Sequence, residues 1–156
     1  IYKRLMNEMY PRLRRNDYKI TYEIRNFDLN EARLLIDQDP KKLSVDEMYK
    51  VAGSYERGSE EYNHVLEVAA EHYPEVAAAA INAAHIAISK NRLVDALVVL
   101  KLSDQDDARV IAAQGYVYLL IKDYDTAREL LTRAAEAGND DAKHNLEELD
   151  KHLKSI

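Results

Sequence analysis

QGYVYLLIKDYDTARELLTRAAEAG, residues 114–138, reads as two helical stretches broken at Lys122-Asp123. The break is too short for anything but a tight turn, so the two helices run antiparallel and touch. Gly115 stands in the first helix, Ala127 twelve positions on in the second, and Leu131 four after that. Small residues let the two backbones approach, and a large apolar residue one turn later fills the gap beside them. The same order recurs 31 residues earlier. With Asn82-Ala83-Ala84 set on Ala113-Gln114-Gly115, Ala87 falls on Tyr118, Leu93 on Tyr124, Ala96 on Ala127 and Leu100 on Leu131. A self-similarity at fixed period is read before any other signal, because it decides the whole fold.

Working outward, helices are expected over 75–89, 92–102, 107–121, 124–137 and 140–154, with breaks at Lys90-Asn91, Ser103-Asp104, Lys122-Asp123 and Gly138-Asn139. In the last helix Ala142, Leu146, Leu149 and Leu153 form one apolar stripe. Before Pro74, Asp28 with Glu31 and Ser44 with Glu47 each have the spacing of a capping box. They open helices running to about Asp37 and about Tyr55. Arg57-Gly58-Ser59 is a turn whose Ser59 caps a third helix reaching Tyr73. The chain from residue 28 onward is therefore expected to be mainly α.

The triplets Ala84, Ala96, Leu100 and Gly115, Ala127, Leu131 resemble the signature of the tetratricopeptide repeat. A degenerate earlier copy fits Met48, Val51, Ala52 and Tyr55, then Tyr62, Leu66 and Pro74, and Pro40 and Pro74 lie 34 residues apart. Met48, Ala80 and Ile111 stand where that family has tryptophan. The resemblance implies an α-solenoid of antiparallel helix pairs over 28–156, closed by a C-terminal capping helix. The alternative is an ordinary antiparallel bundle.

The first residues differ in kind. Ile1, Leu5, Met9 and Leu13 have helical spacing over residues 1–15, and Pro11 should kink that helix. Then Tyr18, Ile20, Tyr22 and Ile24 alternate with Lys19, Thr21, Glu23 and Arg25, the period of a strand. One strand needs a neighbour for its backbone donors and acceptors. The chain also starts with Ile, so it reads as a fragment of an α/β domain's end. LRRND followed by YKITYEI is similar to the close of a bacterial OmpA-like domain, and the junction into residues 28–74 resembles envelope proteins that place such a domain before a helical-repeat tail. That resemblance divides the chain at 27/28. It implies a place on the periplasmic side of the outer membrane and a peptidoglycan partner held by residues upstream of Ile1; no ligand residue is carried over.

Composition bounds the function. An apolar fraction of 47% beside 32% charge gives a chain that folds and dissolves. No apolar run approaches a membrane span. Without cysteine there is no disulfide, thiolate metal site or cysteine nucleophile. Residues 1–25 hold seven basic and three acidic groups, +4, so the remaining 131 residues carry −10 of the total −6. A body of that charge repels phosphates, and no nucleic-acid partner is expected.

No constellation reaches chemistry. His64 with Glu67, and His144 with Glu147 and Glu148, lack the further ligands a zinc site needs. Asp104, Asp106 and Asp107 begin like a calcium loop, but Ala108, Arg109 and Gly115 break the pattern; Asp106 reads as an N-cap instead. The four glycines are isolated, so there is no phosphate loop. No catalytic, cofactor or metal residue is assigned. The expected function is non-catalytic protein–protein interaction or scaffolding, and the alternative is a peptidoglycan-associated anchor. In the repeat family the first helix of each pair lines a concave face. Counted from Ala84 and Gly115, that face holds Ala78, Ile81 and His85, then Arg109, Ala112 and Tyr116; the degenerate copy adds Tyr49. The partner this mostly apolar lining suits is a helical or extended peptide.

Overall fold

The structure is a computed structural model that describes residues 27–154, with Lys3 and Lys19 alone before them. The helix expected at 1–15 and the strand expected at 18–25 lie outside the described residues, Lys3 and Lys19 apart. The described residues form α1 (Leu29–Gln38), a 3-10 turn (Pro40–Lys42), α2 (Val45–Ala52), α3 (Glu60–His72), α4 (Ala77–Ser89), α5 (Leu93–Leu102), α6 (Ala108–Leu120), α7 (Tyr124–Glu136) and α8 (Asp140–Lys154). There is no strand among them, so the described chain is all-α.

Local chemistry sets these boundaries. Asp28 Oδ1 accepts from the backbone N–H of Asn30 at 2.8 Å and of Glu31 at 3.0 Å, and Glu31 reaches back to the Asp28 N–H. Ser44 and Glu47 form the second reciprocal pair at the head of α2. Ser59, Asp107 and Asp123 cap α3, α6 and α7 through single side-chain acceptors. Each cap satisfies amides that a helix's first turn leaves unpaired.

The 31-residue period is geometric as well as sequential. α4 and α6 start and end 31 residues apart, and α5 and α7 start 31 apart. Between the helices of each pair one residue takes a left-handed conformation, Asn91 at φ 56° and Lys122 at φ 64°. The following amide then bonds back six-to-one: Arg92 N to Ala87 O at 2.7 Å, and Asp123 N to Tyr118 O at 3.0 Å. This is the Schellman closure of a helix end.

Each helix packs on the next, and α4 also meets α6 as α6 meets α8. The core is accordingly serial. One apolar cluster joins α1, α2 and α3, with Ile86 of α4 touching it. A second joins α4, α5 and α6 around Ala84, Ala96 and Leu100. A third joins α6, α7 and α8 around Ile111, Leu131 and Ala142. Ala84, Ala96, Leu100, Ala127 and Leu131 are all fully buried, as their triplets require. At Gly115 the approach is closest: a Cβ there would stand 2.9 Å from Leu131 Cγ and Cδ2 and 3.3 Å from its backbone N.

Three boundaries depart from expectation. α2 ends at Ala52, not Tyr55. Ser54 Oγ donates to Val51 O at 2.6 Å, and the amides of Ser54 and Tyr55 bond three residues back, which tightens the chain out of the helix. α4 starts at Ala77, after a turn closed by Val76 N to Tyr73 O. The cap of α6 is Asp107, not Asp106; the Asp106 amide is itself engaged by Asp104 Oδ1 at 2.9 Å.

Candidate functional site

Because α4, α6 and α8 lie side by side, residues on their shared face line one open groove of about 350 Å³. Ile81 and His85 come from α4, and Arg109, Ala112 and Tyr116 from α6. The structure brings together these five of the seven residues picked from the sequence. Ala78 is exposed one turn before Ile81 and does not line the cavity. Tyr49 stands elsewhere: its ring packs on the first apolar cluster. Burial raises its phenol pKa, partly offset by the Asn82 amide beside it, and its hydroxyl makes no well-formed hydrogen bond among the described residues.

Sequence reasoning missed Ile88 and the wall supplied by α8. Ile88 was legible as the position one heptad after Ile81 on the same face. Asp141 and Asn145 of α8, and Asn139 before it, complete the lining. They were not legible, because counting on by 31 from Arg109, Ala112 and Tyr116 falls on Asp140, Lys143 and Glu147, one or two positions from the residues the groove receives. Asn139 is held in place by its own capping bond, Oδ1 accepting from Ala142 N at 2.8 Å.

The groove is apolar along its floor and polar at its rim. Its one guanidinium is largely neutralised: Arg109 donates to both carboxylate oxygens of Asp107, at 3.1 and 2.6 Å. That pairing holds the Asp107 carboxyl below its ordinary pKa and the Arg109 guanidinium above its own. His85 is exposed and makes no hydrogen bond to any described residue. The groove therefore offers side-chain burial with little net charge.

The metal candidates come apart. His64 Nε2 lies 2.7 Å from Asp37 Oδ1, while Glu67 accepts from Lys90 at 3.0 Å and Arg92 at 2.8 Å. Glu148 is engaged by Lys151 at 2.7 Å. Among the described residues no group of three or more His, Asp or Glu is placed to hold a metal ion.

A second cavity of about 360 Å³ lies on the opposite face of α4, between α3 and α5, with Ala83, Ala87, Val99 and Leu102 in its lining. No described helix is long and apolar enough to cross a membrane. No protein-family model matches the chain, and no curated protein matches it.

Proposed function

We propose that residues 28–156 form a tetratricopeptide-like α-solenoid that works as a non-catalytic protein–protein interaction or scaffolding module, taking an apolar helical or extended peptide in the groove of α4, α6 and α8. One observation carries the reading. Five residues chosen only by counting from Ala84 and Gly115 line a single open groove. Its volume lies within the range of ligand-binding clefts, and its apolar floor of Ile81, Ile88 and Ala112 is bordered by polar groups that could orient a peptide. With Arg109 already paired to Asp107, burial rather than charge would supply affinity, so binding should depend weakly on salt. The assignment of residues 1–27 to the end of an OmpA-like domain, and with it a place in the cell envelope, rests on the sequence resemblance of LRRND, YKITYEI and the junction into residues 28–74.

The test is selection of peptides from a random display library on the immobilised chain. Apolar sequences should be enriched, and binding should survive a rise in ionic strength. Ile81→Asp combined with Tyr116→Asp should abolish binding while the helical circular dichroism stays unchanged. A folded double variant that keeps every selected peptide removes this groove as the binding surface.

A further inference from the structure

The groove of α4, α6 and α8 is lined by two residues that carry charge at neutral pH, Arg109 of α6 and Asp141 of α8. Their situations differ. Arg109 is engaged by Asp107, and Asp107 is itself fixed, because its Oδ1 caps α6 by accepting from the Arg109 backbone N–H at 2.8 Å. The cation is thus held by a carboxylate that has a second reason to stay. Asp141 has no such partner. It makes no hydrogen bond or ion pair among the described residues. Its own helix does not use it as a cap: Asn139 Oδ1 accepts from Ala142 N, and the neighbouring Asp140 is met by Lys143 at 2.8 Å. Asp141 is exposed and borders the groove. An uncompensated carboxylate therefore stands beside the apolar floor of Ile81, Ile88 and Ala112.

Charge complementarity then says what the groove receives. We propose that its ligand is a cationic apolar peptide, one whose Lys or Arg side chain pairs with Asp141 while its apolar side chains cover Ile81, Ile88 and Tyr116. This rests on the groove being the binding surface proposed above, and adds the sign of the partner. An acidic peptide would meet Asp141 with like charge and find Arg109 already taken. The wider molecule has the same sign. Residues 26–156 carry −10, which draws a cation toward the chain and turns an anion away. One exposed ion pair contributes little to affinity. The pair with Asp141 therefore selects among apolar peptides, while burial holds them, in keeping with binding that depends weakly on salt.

The test repeats the peptide selection on the parent and on Asp141→Lys at about pH 8, so that histidine adds no charge. The parent should enrich apolar sequences with Lys or Arg at one fixed position relative to the apolar residues. Asp141→Lys should enrich Asp or Glu at that position instead. For one peptide selected on the parent, replacing its basic residue with Ala should weaken binding about two- to fivefold, the size of an exposed ion pair. On Asp141→Asn the same replacement should change nothing, since the partner charge is gone. Asp141 is exposed, and far-ultraviolet circular dichroism checks that each variant is folded. Apolar peptides with no preferred basic position, or with an acidic one, overturn the proposal and leave the groove reading standing. So does an Asp141→Asn chain on which the basic residue matters as much as before. A library that yields no binder, or peptides all retained by the Ile81→Asp, Tyr116→Asp variant, overturns the groove reading and this proposal with it.

Discussion

The helix pairs α4–α5 and α6–α7 share a period, a closing turn and a triplet of contact residues, yet they solve the same packing problem differently. In the first pair the close-contact position of the leading helix is Ala84, which keeps its methyl at full burial. In the second it is Gly115, where a methyl would collide with Leu131. The second pair is thus the tighter one. It also holds the only buried amide in the two pairs: Gln114 Nε2 donates to Gln105 Oε1 at 2.8 Å and to Leu100 O at 3.3 Å, tying the end of α5 to α6. Outside, the order reverses: α5 exposes Val94, Val98 and Leu102 where α7, 31 residues on, exposes Asp125, Glu129 and Arg133. The comparison teaches that a repeat conserves its backbone plan at the inner contacts and spends its variation on the outer face.

The largest effect should come from the buried leucines. Leu100→Ala and Leu131→Ala each remove a fully buried side chain and should cost about 2–5 kcal/mol in urea titrations. Equal losses would make the two pairs equivalent in the core. Next, Gly115→Ala should destabilise by about 1–2 kcal/mol, because overpacking outweighs the gain in helix propensity. In the Leu131→Ala background the same change should become stabilising, since the opposing side chain is gone. A Gly115→Ala chain that melts above the parent would show that the second pair is no tighter than the first.

The turns differ by a smaller amount. Asparagine tolerates the left-handed conformation that lysine resists, so Lys122→Gly should stabilise by about 0.5–1 kcal/mol. Asn91→Gly should move stability by only a few tenths of a kcal/mol, as the turn of the first pair is already occupied by a tolerant residue. Comparable gains from both would remove the distinction.

The smallest effect is electrostatic. The turn of the first pair is tied to α3 by Glu67, which accepts from Lys90 and Arg92. Burial pushes the Glu67 pKa up, but the two cations outweigh it and the net shift is downward. A depressed carboxyl contributes stability above its ordinary pKa and loses it as the pH falls through the folded value. Glu67→Gln should therefore melt slightly below the parent at about pH 7 and level with it at about pH 3. A constant gap across that range would mean that Glu67 acts by packing and not by charge.

How much of this was legible follows from the range of each interaction. The two capping boxes, the Ser59 cap and the breaks at Asn91, Lys122 and Gly138 join residues a few positions apart, and the sequence alone determined them. It determined the triplets too, because their spacing is set by helix pitch and turn length. The reading of Asp106 as the cap of α6 failed at that level, since both Asp106 and Asp107 can accept from nearby amides and the geometry of the preceding turn selects Asp107. Tyr49 shows the next limit: its phase on α2 suits the groove, but its ring is taken up by the first apolar cluster. The wall from α8 and the bare face of α5 were decided only by the tertiary structure. The helical period states which residues share a face and not what that face meets. In α5 even the phase is lost, because apolar residues surround the helix. Its covered side became known only from where α4 and α6 pack, and its uncovered side by what remained.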